Sequence, residues 1–179
     1  MKPLPSPLTK LICGVLFTDE ELLIQAKELT IQKYSAIDFE SEHFTFNVSD
    51  YYKPEMGWPI QRLFWSFEKL IDPKDIAGIK IECNEMEDQL AFNKNRKVNL
   101  DAGYMDYDKV VLASAKYNWQ KIYLDYGIYA DLTLRYEKGK YLPFPWSFPD
   151  FKEGHYNEVL LKIREIYKKQ RKINDSKFQ

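Results

Sequence analysis

The order of apolar patterns in the first hundred residues constrains the fold more than any other feature of this chain. Leu8 to Phe17 is a near-continuous apolar run, which is typical of a buried strand. Strand and helix patterns then alternate so that strand–helix–strand occurs twice. After this first strand, the patterns predict a helix to about Tyr34 and a strand over 37–48. A strand over 63–67, a helix over 73–90 and a strand over 98–102 follow. This order predicts an α+β fold with a ferredoxin-like split β-α-β core, two helices packed on a four-stranded antiparallel sheet.

The remaining sequence predicts an extension of that core within one domain, 1–179. Asp106 favours a short helix to about Lys116, and the alternation from Ile128 to Tyr136 predicts a strand of a C-terminal β-hairpin. The predicted parts are an extended arm (1–8), the split β-α-β core (9–104), a helix–hairpin–helix elaboration (105–172) and a frayed tail (173–179).

Composition excludes several classes of protein. The 26 basic and 27 acidic residues give no global signal for binding nucleic acid. We expect no membrane partner, because no apolar run reaches about 18 residues. Two cysteines in apolar surroundings and a proline-punctuated N-terminus that is unlike a secretory signal predict a cytoplasmic protein. The partners are unknown from the sequence, and both a monomer and a homodimer are compatible with it.

The stretch from Val98 to Tyr104 carries the strongest indication of a binding site. Asn99 and Asp101 face the same side of the predicted strand, and Gly103 interrupts the alternation. Asp101 could act as a general base or as an oxygen ligand of a hard cation, with Asn99 and Tyr104 orienting a polar ligand. The alternative is that Asn99 and Asp101 only bond the backbone of a turn.

A second strip of polar side chains follows the strand pattern after Gly127. Tyr129, Asp131 and Arg135 share one face of that strand. If Asp131 converges with Asp101, the two carboxylates could hold Mg²⁺ or Mn²⁺. The alternative is a solvated face with cross-strand ion pairs.

Two aromatic loops are candidates for the walls of the same pocket. Trp146 lies between prolines in the segment 143–151, which could equally cover a sheet edge. Asp50-Tyr51-Tyr52 places a carboxylate beside two amphipathic rings.

Other motifs are absent from the sequence. There is no phosphate-binding loop of the Walker A type, no Cys-x-x-Cys and no Gly-x-Ser-x-Gly, and two histidines are too few for a histidine-based metal cluster. The sequence therefore indicates no cofactor, except that Mg²⁺ or Mn²⁺ could bind at Asp101 and Asp131.

Several motifs in order resemble the family known as domain of unknown function 4416. They are Asp50-Tyr51-Tyr52, Glu55-Met56-Gly57, Ser66-Phe67-Glu68, Asn99-Leu100-Asp101-Ala102-Gly103-Tyr104, Gly127-Ile128-Tyr129-Ala130 and Pro145-Trp146-Ser147-Phe148-Pro149-Asp150. The resemblance implies a soluble bacterial single-domain protein and brings no activity, cofactor or catalytic residue. Ala102 departs from the proline expected there.

Three functions remain open on the sequence, and it does not decide whether the protein is an enzyme. The first is a small module that binds a small ligand, a nucleotide or RNA near the predicted Asn99–Tyr104 turn, using the abundant aromatic rings for stacking. The second is a Mg²⁺- or Mn²⁺-assisted enzyme on phosphate esters or nucleotides, in which Lys116 and Arg135 neutralise the phosphoryl oxygens. The third is a protein-interaction module.

Overall fold

A computed structural model describes residues 2–176 of the chain. It contains one large antiparallel sheet with helices on both faces. The strands are β1 (Thr9–Phe17), β2 (Ile37–Glu40), β3 (Phe44–Thr45), β4 (Gln61–Ile71), β5 (Val98–Met105), β6 (Lys109–Ser114), β7 (Ile122–Asp125), β8 (Ile128–Glu137) and β9 (Lys140–Pro143). The helices are α1 (Glu20–Lys33), α2 (Lys53–Met56), α3 (Ile76–Gln89), α4 (Pro149–Lys152) and α5 (Asn157–Ser176), with a 3₁₀ turn at Pro73–Asp75.

The sheet has the strand order β2-β4-β1-β5-β6-β8-β7, with β3 also paired to β4 and β9 to β8. Every residue of the central strand β1 is buried, because both of its faces are covered. Leu11, Cys13 and Val15 point into a core shared with α1 and α3, whereas Ile12 points into a second core shared with α5. The period-two alternation of a strand thus separates two hydrophobic cores.

The predicted sheet, a four-stranded core extended by a C-terminal hairpin, is too small, because nine strands among residues 2–176 join one sheet. The α+β class is confirmed, and the predicted C-terminal hairpin is present. It is the β8–β9 hairpin, closed by Lys138 and Gly139 at positive φ. Two helices on one face would have left the opposite face open. The apolar residues of α5, among them Leu160 and Ile163, bury that face instead.

The predicted helix over 106–116 is also wrong, since this segment forms strand β6. Asp106 does accept hydrogen bonds from the backbone N–H groups of Asp108 and Lys109, at 2.8 and 2.9 Å. These bonds close the turn between β5 and β6 instead of capping a helix. The run Val110-Val111-Leu112-Ala113 is buried throughout, as expected for a strand covered on both faces.

The N-terminal arm has no regular secondary structure, whereas the predicted C-terminal tail is partly helical. Residues 2–8 of the predicted arm are exposed and form neither helix nor strand. The tail predicted to fray from 173 is helical through Ser176 as part of α5, and 177–179 lie outside the described residues, as does Met1. Within 2–176 no helix is both long and apolar enough to cross a membrane.

Candidate functional site

The candidate site lies where the sheet splits between β5 and β6. These strands pair only from Gly103 to Met105 and from Val110 to Leu112. Beyond Gly103 they separate, because β6 continues alongside β8. A cavity of about 340 Å³ opens in the gap, within the size range of small-molecule sites.

Glycine at position 103 permits the closest approach of the two strands at the edge of this cavity. A Cβ atom there would lie 2.5 Å from the backbone oxygen of Val111 and 2.7 Å from Leu112 Cδ2. No larger residue fits unless the strands move apart. The glycine that interrupts the sequence pattern therefore fixes where the sheet closes and where the cavity begins.

Side chains of α3 take over the hydrogen bonds that β5 loses at the split. The backbone N–H of Leu100 donates to Glu87 Oε1 at 2.7 Å, and Lys80 Nζ donates to the Leu100 carbonyl at 2.7 Å. Both charged side chains are buried, and they lie 3.4 Å apart. The backbone N–H and carbonyl groups at this buried edge of β5 thus bond to the side chains of an ion pair instead of a neighbouring strand.

Arg96 extends this ion pair into a network that reaches α2. Its guanidinium donates to Glu87 Oε2 at 2.6 Å and contacts both oxygens of Glu55, at 2.5 and 2.9 Å. Hydrogen bonding to Glu55 and Glu87 outweighs desolvation and raises the Arg96 pKa. Burial alone lowers the pKa of Lys80, but the negative charges of Glu87 and Asp101 raise it above its ordinary value. The network therefore keeps two positively charged side chains, Lys80 and Arg96, in the wall of the cavity.

The Glu55–Arg96 contact predicts a pH-dependent contribution to stability. The hydrogen bond from Arg96 lowers the Glu55 pKa, so the stabilisation is present above the ordinary glutamate value of about 4.3 and is lost as the pH falls through the folded-state value. We expect Glu55→Gln to lower the free energy of unfolding at neutral pH, with a difference from wild type that shrinks below about pH 4. Urea unfolding from pH 3 to 7 measures it. The exposed residue Glu28 supplies the control Glu28→Gln, and an equally large, pH-independent loss in Glu55→Gln would contradict the assignment.

Asn99 and Asp101 form the part of the cavity wall that belongs to β5. Asn99 accepts a hydrogen bond from Arg96 at 2.9 Å and donates one to Asp101 Oδ1 at 2.9 Å. Asp101 also accepts from Arg62 at 3.5 Å, and its carboxylate is partly exposed. An ordered amide thus orients a carboxylate that a ligand can reach.

Asp131 enters the cavity from β8, on the same face of the sheet as Asp101. Gly103 pairs with Leu112 and Leu112 with Asp131, and Asp101 is two residues from Gly103. Asp131 is buried and forms a salt bridge with Lys121 at 3.2 Å. Lys121 Nζ also donates to Ser114 Oγ at 2.8 Å.

Lys116 is the cation of the cavity without a carboxylate partner. Its Nζ lies 3.7 Å from the centre of the Tyr51 ring, and none of the described residues forms a salt bridge with it. The rings of Tyr52, Trp146 and Phe148 also line the cavity. Gln120 lines it too, and its Oε1 atom is buried without a hydrogen-bond donor among the described residues. The wall therefore combines a cation outside any ion pair, an acceptor without a donor and flat apolar surfaces.

Five of the eight predicted ligand-binding residues line this one cavity. They are Asn99, Asp101, Lys116, Asp131 and Trp146. The other three lie elsewhere. Tyr104 packs against the core on the α1 and α3 side, Tyr129 contacts the rings of Tyr117 and Tyr123, and Arg135 pairs with Glu137 near the far end of β8. The strand predicted over 98–102 is present but longer, because β5 continues to Met105 and no turn interrupts it at 103–104.

The sequence reasoning missed Lys80, Glu87, Arg96 and Lys121. A signal existed for the first two. Lys80 and Glu87 fall within the apolar stripe of α3, which includes Ile76, Ile79 and Cys83. Charged residues on a buried helix face need a partner, so their spacing of seven residues favours a buried polar contact.

The described residues offer limited support for a metal centre. Among residues 2–176, no group of three or more His, Cys, Asp or Glu side chains is placed to hold a metal ion. Asp101 is in contact with Arg62, and Asp131 with Lys121. A cation would have to displace both basic side chains to use both carboxylates.

Comparison with known proteins yields one match. No curated protein and no solved structure matches the chain significantly. The family model for the domain of unknown function DUF4416 matches residues 7–167 of the 179. That span includes all nine strands and most of α5, and it contains the whole lining of the cavity. The chain therefore belongs to the DUF4416 family.

Proposed function

We propose that this protein is a small ligand-binding module and that the cavity at the sheet split is its binding site. The observation that carries the proposal is the convergence of Asn99, Asp101, Lys116, Asp131 and Trp146 on one cavity. A pocket with convergent polar groups in otherwise packed surroundings is the default place for a ligand.

The composition of the wall favours a nucleotide. Lys116 offers a positive charge to a phosphate, and the rings of Trp146 and Phe148 offer flat surfaces to a base. Side-chain amides can read the edge of a base, because each has both donors and an acceptor. Four line the cavity: Asn84, Asn99, Asn118 and Gln120.

Calorimetric titration with the four common nucleoside monophosphates tests this proposal. We expect at least one to bind wild type and Lys116→Gln to weaken that binding by about tenfold or more, since hydrogen bonds to charged groups contribute about 1.5–3 kcal/mol. The exposed Lys140 on β9 supplies the matched control Lys140→Gln, which should bind like wild type. Equal binding by wild type and Lys116→Gln would remove Lys116 from the site.

Single-stranded RNA is a second candidate, favoured by exposed rings beside the cavity. Tyr117 is 72% exposed and lines the cavity, and its neighbour Trp119 is 75% exposed. Such rings can stack unpaired bases. Short RNA oligomers that bind more tightly than their mononucleotides, with the gain lost in Trp119→Ala, would favour RNA.

A Mg²⁺- or Mn²⁺-assisted enzyme is the alternative that rests on Asp101 and Asp131. Both carboxylates line the cavity, but their strands are two positions apart, which corresponds to roughly 10 Å. They reach a common ion only if Asp101 releases Arg62 and Asp131 releases Lys121. Binding of Mn²⁺ that Asp131→Asn abolishes, together with turnover of a phosphate ester, would favour this function over simple binding.

We also propose a ferredoxin-like core and a cytoplasmic, bacterial setting. The core proposal is supported by the antiparallel neighbours β2-β4-β1-β5, with α1 and α3 following the first and third of these strands in chain order. The compartment is supported by Cys13 and Cys83, which are buried free thiols.

A further inference from the structure

A second cavity of about 270 Å³ adjoins the first. Tyr52, Lys116 and Phe148 line both cavities and form the partition between them. Beyond the partition the second cavity is bounded largely by apolar groups, including Phe46, Val48 and Pro149. It therefore offers an apolar surface that the nucleotide proposal does not use.

Arg62 of β4 brings a buried guanidinium to this cavity, and its hydrogen-bonding capacity is only partly used. The side chain is 5% exposed. Its hydrogen bond to Asp101 is long, at 3.5 Å, and Asp150 lies 3.4 Å from Nη1. The Nε atom is buried and has no partner among the described residues. Buried polar groups of this kind are nearly always satisfied, and a guanidinium has five N–H donors to satisfy.

Lys116 is the positive charge at the second cavity that an anion can use. Arg62 and Lys116 line this cavity together with Asp150, and Asp101 contacts Arg62 at 3.5 Å from outside the lining. The two carboxylates offset the charge of Arg62, whereas none of the described residues forms a salt bridge with Lys116. Burial lowers the pKa of Arg62, but the charges of Asp150 and Asp101 raise it above its ordinary value, so the guanidinium stays charged.

The two carboxylates near Arg62 each have another donor. Asp150 accepts from the Tyr156 hydroxyl at 3.2 Å, and Asp101 accepts from Asn99 at 2.9 Å. A guest carboxylate that engages the free side of the guanidinium would therefore leave neither of them without a hydrogen bond.

We propose that the second cavity is a binding site for a small monoanionic carboxylate with an apolar or aromatic body. The apolar walls would cover the body, and Arg62 would bind the carboxylate oxygens in the planar geometry that guanidinium groups favour. Lys116 would add a second positive charge at the partition. This goes beyond the proposed nucleotide site, since the second cavity can fill while the first is empty.

Phenylacetate is a suitable probe, with the neutral isostere phenylacetamide as its matched partner. Heteronuclear NMR titration of the full chain is expected to show saturable phenylacetate binding and at least about tenfold weaker binding of phenylacetamide. Equal affinity for the two compounds, or no saturable binding of phenylacetate, would overturn the proposal.

A cavity-filling substitution locates the site without removing the buried Arg62. Val48→Phe places a ring in the second cavity and should abolish phenylacetate binding, whereas Asn47→Phe, at an exposed neighbour that lines neither cavity, should not. Phenylacetate binding that persists in Val48→Phe would overturn the assignment. Nucleotide binding should survive in Val48→Phe, so failure of the nucleotide site and failure of the carboxylate site give different results.

Discussion

Replacing Glu87 by glutamine is expected to lower the free energy of unfolding by about 3–5 kcal/mol, the range for removing one partner of a buried ion pair. Glu87 is 2% exposed and lies between Lys80 and Arg96, both of which donate to it. Glutamine can still accept the hydrogen bond from Leu100, but its NH₂ group then faces the Arg96 guanidinium, so the variant removes the charge and one of the two acceptors. Lys80 would then be a buried cation without its nearest counter-charge. Urea unfolding followed by circular dichroism measures the change.

Two further variants separate this charge effect from a general weakness of α3. Glu85→Gln changes an exposed glutamate on the same helix and should alter the free energy of unfolding by about 0.5 kcal/mol or less. The double variant Lys80→Met with Glu87→Gln should recover part of the lost free energy of unfolding, because it also removes the buried lysine charge that Glu87→Gln leaves unpaired. A double variant as unstable as the sum of its two single variants would contradict the proposed coupling.

Gly103→Ala is expected to lower the free energy of unfolding by about 1–3 kcal/mol, the typical cost of overpacking. The added Cβ would meet the backbone oxygen of Val111 at 2.5 Å, and a backbone atom in a sheet cannot swing away as a side-chain end can. The strands would have to separate at the point where the sheet closes. Ligand binding in the cavity should weaken with them, because Asp101 lies two residues away on the same strand.

Gly78→Ala is the matched control for Gly103→Ala. Gly78 lies within α3, and an added Cβ there meets no atom within 4 Å. Alanine favours helix over glycine by about 0.5–1 kcal/mol, so this substitution should stabilise the protein. A Gly103→Ala variant as stable as wild type would show that the sheet closes without the glycine.

The secondary structure could be predicted where apolar residues alternate regularly within one short segment. The alternation Val98-Asn99-Leu100-Asp101-Ala102 predicted a strand, and β5 begins at Val98. The segment after Asp106 could not be assigned correctly, because aspartate bonds nearby N–H groups both at a helix start and in a turn. The role of α5 was equally hidden, since an amphipathic helix does not reveal which face of a sheet it covers.

The candidate site could be predicted only in part, for a related reason. Asp101 and Asp131 were each chosen from the alternation within their own strand, which leaves open whether the two side chains meet. The pairing of both β5 and β8 with β6 places them on one face of the sheet. The prediction that Arg135 shares a face with Asp131 is wrong, because a register shift between β6 and β8 at Val110/Val111 reverses the alternation. Arg135 pairs with Lys109, away from the split. The position of the split depends on the approach of Gly103 to β6 and on the hydrogen bonds of Lys80 and Glu87 to Leu100. The sequence contains a signal for each of these residues, but it does not identify their partners.

The indole N–H resonances of the tryptophans report most directly whether the first cavity binds a nucleotide. Trp146 lines the cavity, and its Nε1 donates to the Leu132 carbonyl at 2.9 Å. Trp65 lies in the core beside α1 and α3 with its Nε1 bonded to Glu40, so it serves as the internal reference. On titration with adenosine monophosphate, guanosine monophosphate, cytidine monophosphate and uridine monophosphate, we predict that at least one shifts the Trp146 resonance saturably. The Trp65 resonance should stay in place. If all four leave Trp146 unmoved, the nucleotide proposal is contradicted and the protein-interaction role becomes the better account.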